Sequence, residues 1–593
     1  MTEADRLLDE AFLAYNNKDF DEAEDLARSV LTLMPSSGDG LYLLGLIAGK
    51  KNAFEPAEKL LYQAVHLYPE NKQYKLSLGF VLEKQGRLDE ALSFYEEFKE
   101  DAFVLSQIGF IYLQKGLTDF AKSAFDKALS LNESVLTAYI GLALLLRREE
   151  NFDEALNVLQ KALSFGKSAE LLYQLAQTSR LLKKNNQALS YIKEALALEE
   201  TAAFYNEEGL IYEAMKTYSA AFLSYEDAIR LNSYYADAYA NMGNLYFKEG
   251  KLNKAEDAYK RAIGIDSSFL NAHHNLALVL HKQGRVGECL EHFRSAILIN
   301  PKHISSLYNL AVILEESGEY SEAAGLYFNL LVLDNTLPDI EFRIAQVLSL
   351  LAQTGKKEKK QALTFIEGWV KNFPDNVVAL YTQKALTGKK VDEALAQKYS
   401  EALYDSFASS YDKVMEKLES KSLAEILNAL PQRKWSHVLD AACGTGTFAL
   451  KFEQEYDSLT GVDISKNMLM KADKTFKDTR LVHQDISSFL QEDKEEYSLI
   501  VASDVIGYLP QVDQLFKAVY AKLEEKGIFA FTFETNDLLK EGELQPSGRM
   551  VYPTAPLKDL LLKQNFKIEV QKEFLMRKEG TSFAKGMLFV VSK

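Results

Sequence analysis

The stretch HVLDAACGTGTFA, residues 437–449, decides the C-terminal fold. A short apolar run ends in Asp440. Small residues follow, then Gly444-Thr445-Gly446, then a helix-like segment. That order reads as strand, tight glycine loop and helix start. Glycine has no Cβ, so a ligand can come close to the backbone of such a loop. Seventeen residues after Gly446 stands Asp463, in LTGVDIS. An acid at the end of a second strand can accept hydrogen bonds from both hydroxyls of a ribose. The two features together point to a nucleoside ligand.

Outward from the loop, strand-like runs lie near 437–440, 459–462, 480–483, 498–502, 527–533, 566–571 and 586–591. Helical stretches such as SKNMLMKADKTF and VDQLFKAVYAKLEEK separate most of them. Alternating strands and helices imply a mostly parallel sheet covered on both faces. Only a turn separates the final two runs. A hairpin cannot be a parallel crossover, so one strand at that end is expected to be antiparallel.

A parallel sheet with a terminal antiparallel hairpin, together with D-A-A-C-G-T-G, resembles the class I S-adenosylmethionine-dependent methyltransferases. The resemblance implies an α/β Rossmann-like domain with a seven-stranded sheet, and S-adenosyl-L-methionine as cofactor. It carries Asp440, Ala442, Gly444 and Gly446 onto the cofactor's amino-acid end, with Ala442 standing where a glycine is usual. Asp463 matches the ribose-binding acid, with Ile464 beside the adenine. In HQDI, 483–486, Asp485 matches the acceptor of the exocyclic amine and Ile486 the residue packed on the ring. Asp504, after the fourth strand, matches a residue over the methionine moiety. YDSFASSYD, 404–412, resembles a helix that closes over the cofactor, with Phe407 and Tyr411 as shields. A dinucleotide oxidoreductase is a remoter reading, because the terminal hairpin counts against it.

Methyl transfer from a sulfonium is an in-line displacement, so alignment and exclusion of water matter more than a base. Where a base is needed, Asp504, Tyr508, His483 and Glu534 stand at strand ends or the adjoining loops. Residues 534–556 form a long connection after the fifth strand. A loop of that length is expected to act as a substrate lid, with Arg549 and Tyr552 as its polar contacts.

Before this domain the chain repeats itself. A small residue recurs at Ala11, Gly45, Gly79, Gly109, Ala143, Ala176, Gly209, Gly243, Ala277, Ala311 and Ala345, at intervals of 34 or 33 with one of 30. A second small residue follows twelve positions later, from Ala23 to Ala323, and a large apolar one often stands four beyond that. The pattern resembles the tetratricopeptide repeat over about eleven units. One helix pair cannot bury its apolar face alone, so pairs are expected to stack into an α-solenoid with a concave inner surface. The unit from about residue 72 is four residues short. TGKKEKKQ reads as an insert delaying the last second helix, with Lys356–Lys360 as a solvated loop. Residues 375–387 read as a solvating cap helix.

Two positions before the small residue stand Asn241, Asn275 and Asn309. An asparagine offers both donor and acceptor, so such a ladder could clamp the backbone of an extended peptide. The expected partner is therefore a protein or peptide on the concave face.

The expected domains are the solenoid over 4–387, a connecting helix over 388–400 and the methyltransferase domain over 401–593. The chain has 593 residues, a net charge of −17 and two cysteines. Two distant cysteines make neither a disulfide framework nor a zinc site, which fits a reducing cytoplasm. No metal is expected. The acidic balance disfavours nucleic acid as a partner, and no apolar run is long enough to span a membrane. The array fits capture of a protein that is methylated or that delivers a substrate. A small-molecule methyltransferase with the array used for localisation, and a scaffold whose C-terminal domain is weak or inactive, are the alternatives.

Overall fold

The computed structural model describes residues 2–475, 479–579 and 582–593. Phe476, the last residue of the expected helix SKNMLMKADKTF, lies outside them. The chain forms two compact units, Met1–Gln283 and Gly284–Lys593.

The first unit is built of helix pairs joined by short turns, such as Ala102–Gln114 with Thr118–Leu131 and Ala236–Lys248 with Leu252–Ile265. The recurring small residues explain the close packing. A Cβ added at Gly109 would lie 2.5 Å from the Phe125 ring, and one at Gly243 would lie 2.7 Å from Tyr259. Each glycine thus receives the large residue sixteen positions later. Ala121 and Ala255, at the second small position, are fully buried. The short repeat keeps its first helix, Lys72–Lys84, and loses length in its second, Leu88–Glu96, of 9 residues against 14 in Thr118–Leu131.

The second unit begins with further pairs, Ile304–Glu316 with Tyr320–Leu333 and Ile340–Thr354 with Lys356–Asn372. The basic run Lys356–Lys360 is not a loop. It forms the first turns of a 17-residue helix, because lysine and glutamate are good helix formers and the break falls at the extended Gly355. Nor is Val377–Thr387 a solvated cap. Val378, Ala379, Tyr381, Ala385 and Leu386 are buried, and the helix packs on both the preceding pair and the next helix, Glu393–Phe407.

The strands that follow are β1 Trp435–Ala441, β2 Tyr456–Asp463, β3 Arg480–His483, β4 Tyr497–Ala502 and β5 Leu523–Glu534. Then come β6 Glu543–Leu544, β7 Met550–Val551, β8 Lys567–Glu579 and β9 Ser582–Ser592. Seven form one sheet in the order β3-β2-β1-β4-β5-β9-β8. Strands β1 to β5 pair in parallel, while β9 runs antiparallel to both β5 and β8. The expected single antiparallel strand is β9.

Alternation along each strand feeds two cores. Val438, Leu499, Ala530 and Leu588 enter one, and Leu439, Ile500, Phe529 and Phe589 the other. Neighbours point to opposite faces, so strands covered on both sides are apolar throughout. The connection after β5 is not all loop: β6 and β7 pair as a small antiparallel ribbon. Two-residue strands are too short to show a period of two. Among the described residues no helix is long and apolar enough to cross a membrane.

Candidate functional site

The loop after β1 docks on β2 through its backbone. The Ala442 and Cys443 N–H groups both donate to the Val462 carbonyl, at 2.8 and 2.9 Å. The chain then turns through positive φ at Ala442 (78°), Gly444 (54°) and Gly446 (86°). Asp463 fixes the turn: one carboxylate oxygen accepts from the Gly444 N–H and the other from the Ser465 N–H, both at 2.8 Å. Burial pushes the Asp463 carboxyl up to about 6, against those two N–H groups, which pull it down. Asp440, buried beneath the loop, is pushed up to about 8 by burial and by Asp463. Burial also raises the Cys443 thiol.

A cavity of about 90 Å³ lies at the C-terminal ends of β1 to β4. Ala442, Gly444, Asp463 and Ile464 line it from the first two strands, and Asp485 and Ile486 from the loop after β3. Asp504 and Tyr508 line it from the connection after β4, and Tyr411 from the helix Tyr411–Lys417. The segments that follow β1, β2, β3 and β4 thus converge on one cleft. Asp440, Gly446, Phe407, His483, Glu534, Arg549 and Tyr552 stand outside this lining.

Several of these groups already have partners. Asp485 caps the helix Ile486–Glu492, with one oxygen accepting from Ser487 and Ser488 N–H at 3.0 Å each. Asp504 sits at a φ of 61° and accepts from the Ser422 hydroxyl at 2.8 Å. His483 Nε2 lies 2.9 Å from the Ile464 carbonyl. Glu534 forms an ion pair with the buried Arg577. The Tyr552 hydroxyl donates to the Leu509 carbonyl and its ring joins the core.

Two helices close the cleft. Asp412 accepts from Thr445 at 2.6 Å, tying the helix Tyr411–Lys417 to the glycine loop. Asp405 accepts from the Ser465 hydroxyl at 2.6 Å and from the Asn467 N–H at 3.0 Å. Tyr404, rather than Phe407, lines the cleft from the helix Glu393–Phe407. Its ring meets Tyr508 edge-on at 5.3 Å. Arg549, between β6 and β7, lies over the Tyr508 ring at 5.4 Å. Burial works against its charge, but Tyr508, Tyr404, Asp504 and Glu534 outweigh that and raise its pKa. Helical periodicity across YDSFASSYD gives no signal for Tyr404, because the chain breaks at 408–410 and Tyr404 and Tyr411 lie on separate helices.

In the first unit, Asn241 and Asn275 are half-buried. Each donates to an asparagine of a preceding helix, Asn241 to Asn206 and Asn275 to Asn244, both at 2.9 Å. Asn309 lies in the second unit and is also half-buried.

Comparison with known proteins agrees with this architecture. Residues 438–527 match the family model described as a methyltransferase domain. Residues 42–103, 110–170, 169–201 and 268–327 match models of the tetratricopeptide repeat, and 243–284 a TPR repeat. A TPR repeat-containing protein of Methanocaldococcus jannaschii is 26% identical over 42% of this chain and 47% of its own length. Tetratricopeptide repeat protein 6 of Homo sapiens is 32% identical over 25% of this chain and 29% of its own. YqeM of Bacillus subtilis, named as a candidate methyltransferase, is 27% identical over 23% of this chain and 58% of its own. The chain thus spans less than two thirds of the length of each of these relatives. It joins tetratricopeptide repeats to a methyltransferase domain.

Proposed function

We propose that the C-terminal domain transfers a methyl group from S-adenosyl-L-methionine, and that the helical array captures the protein that is methylated or that brings the acceptor. The observation that carries the first part is Asp463. It stands at the end of β2, buried, lining the same cleft as Gly444, Asp485 and Asp504. Each of its oxygens accepts one backbone N–H, and a carboxylate oxygen has a second lone pair to offer a ribose hydroxyl. The donor set suits a nucleoside. Gly444 leaves the loop open, since a Cβ built there would meet only the Tyr411 ring, at 3.9 Å.

In this reading Asp463 holds the ribose and Ile464 and Ile486 flank the adenine. Asp485 keeps one oxygen for the exocyclic amine while the other caps its helix. Asp440, Ala442, Gly444 and Gly446 shape the amino-acid end. Asp504, Tyr404 and Tyr411 belong to the closing side. The bound cofactor supplies an electrophilic methyl group. The protein aligns it and excludes water, an effect worth about 7–11 kcal/mol in well-oriented reactions.

Calorimetric titration with S-adenosyl-L-methionine, beside an Asp463→Ala variant checked for folding by circular dichroism, tests this. Binding in the micromolar range that the variant loses supports it. No binding by the folded wild-type protein overturns it and favours the scaffold reading.

For the array, the Asn241 and Asn275 amides are held in fixed orientations by Asn206 and Asn244. Fixed amides can pair with an extended peptide backbone at little entropic cost. Replacing Asn241 and Asn275 by alanine should weaken partner capture in a pull-down while leaving the helical signal intact. Unchanged capture removes the clamp.

A further inference from the structure

We propose that the methyl acceptor is a carboxylate, recognised by Arg549. This rests on the reading of the cleft as a methyl-transfer site.

The placement of Arg549 begins with its backbone. The β6–β7 turn closes through the Gln545 N–H donating to the Arg549 carbonyl, at 2.9 Å. The Gly548 carbonyl accepts from the Tyr381 hydroxyl at 3.1 Å. The turn is therefore held against the body of the unit. From it the guanidinium reaches over the face of Tyr508, whose ring lines the cleft beside Asp504. Tyr404 completes this wall.

Among the described residues, no carboxylate lies within 4 Å of the guanidinium and none of its N–H groups makes a protein hydrogen bond. The two acids that act on its charge are committed elsewhere. Asp504 accepts from Ser422, and Glu534 is paired with Arg577. They are close enough to favour the charge on Arg549 without satisfying its donors. A planar guanidinium with its fork of donors unspent matches a carboxylate in two parallel hydrogen bonds. The surrounding tyrosines lower the local dielectric and strengthen such a pair.

The candidate bases point the same way. Asp504, Glu534 and His483 each already hold a protein group, and the Tyr508 ring lies under the Arg549 guanidinium. An amine or phenol acceptor must shed a proton on the way to its neutral methylated product, a loss that a base assists. A carboxylate is ionised at neutral pH and needs none. One carboxylate oxygen forms a bond to the methyl carbon as the methyl–sulfur bond breaks. The electron pair of that bond stays on sulfur, which becomes a neutral thioether. No proton moves, and the product is a methyl ester.

Full-length protein with methyl-labelled S-adenosyl-L-methionine tests this on succinate, glutarate and benzoate, with an amine and a phenol as contrast. A methyl ester releases volatile methanol in alkali, whereas N-, S- and C-methyl groups are retained. The expected result is alkali-labile label on a carboxylate probe. Arg549→Gln should raise KM about 100-fold, the loss of a bidentate charged contact. Arg549→Lys should recover part of that. Calorimetric affinity for the cofactor should stay within about twofold in both variants, because the contact is to the acceptor alone. Alkali-stable product, transfer that Arg549→Gln leaves unchanged, or no transfer to any carboxylate while the cofactor binds overturns the assignment. A folded wild-type protein that does not bind the cofactor brings down the methyl-transfer reading, and this one with it.

Discussion

The rings of Tyr381 and Tyr399 stack face to face, with centroids 3.8 Å apart and planes 7° from parallel. Tyr381 belongs to the helix Val377–Thr387 that follows the last repeat, and Tyr399 to the helix that closes the cleft. Phe342, from the preceding pair, meets Tyr399 edge-on at 5.9 Å. With the Tyr381 hydroxyl on the Gly548 carbonyl, one aromatic pair fastens the last repeat helices, the closing helix and the β6–β7 turn.

Removing that pair should therefore be costly. Tyr399→Ala is expected to lose about 3–5 kcal/mol, the usual range for truncating a buried aromatic. Tyr381→Phe keeps the stack and gives up one hydrogen bond, about 1 kcal/mol. Urea unfolding followed through the second unit would separate the two. Similar losses in both variants would show that the hydrogen bond, not the stack, is the fastening.

The Asp440 carboxyl makes stability depend on pH in an unusual direction. An exposed aspartate has a pKa near 3.9, and burial pushes Asp440 up to about 8. Between those values the native state binds more protons than the unfolded chain. Stability should then fall as pH rises from about 4 to 8, the reverse of a salt-bridged acid. Asp463, raised to about 6, adds to the slope in the lower part of the window. Asp440→Asn removes the larger contribution. It should flatten the pH profile and raise stability at pH 8 by about 1 kcal/mol or more. A profile unchanged by the substitution would place the titrating group elsewhere.

The course of the sheet was legible because periodicity and loop chemistry agree. Val438 and Leu439 go to opposite cores, and Gly444 and Gly446 take the left-handed turns that the pattern demands. The repeat was legible because Gly109 and Phe125 are local partners, sixteen apart on one hairpin. The wall of the cleft was not, because it is assembled from distant segments. Tyr404, Tyr508 and Arg549 meet only after the sheet has formed. Local pattern also misjudged Val377–Thr387: its burial comes from Tyr399 and from the preceding pair, which no window around it contains.

Phe125 offers a test of the repeat packing. Its ring is fully buried between two glycines: a Cβ at Gly109 would lie 2.5 Å away and one at Gly141 2.2 Å away. Gly109→Ala forces the ring to move and should destabilise the first unit by about 1–3 kcal/mol. Gly109→Ala combined with Phe125→Leu makes room, so the double variant should lose less than the sum of the two singles. Simple additivity in thermal unfolding would show that the two residues do not compete for the same space.

Ala442 is the one residue of the glycine loop whose chemistry opposes its conformation. It holds a φ of 78° with a Cβ, where Gly444 and Gly446 hold 54° and 86° without one. An L-residue in the left-handed region costs about 1–2 kcal/mol. A glycine there gives back about 0.5–1 kcal/mol through the freedom of the unfolded chain. Ala442→Gly should therefore stabilise the protein by about 0.5–1 kcal/mol, the difference between these two effects. Gly446→Ala should do the opposite, by about 0.5–1 kcal/mol, since it adds the same strain at a neighbouring turn and gives back the same entropy. Differential scanning calorimetry of both variants decides the sign. Because Ala442 also lines the cleft, a destabilised Ala442→Gly would mean that its packing outweighs the backbone strain, and that this loop keeps alanine for contact with its surroundings.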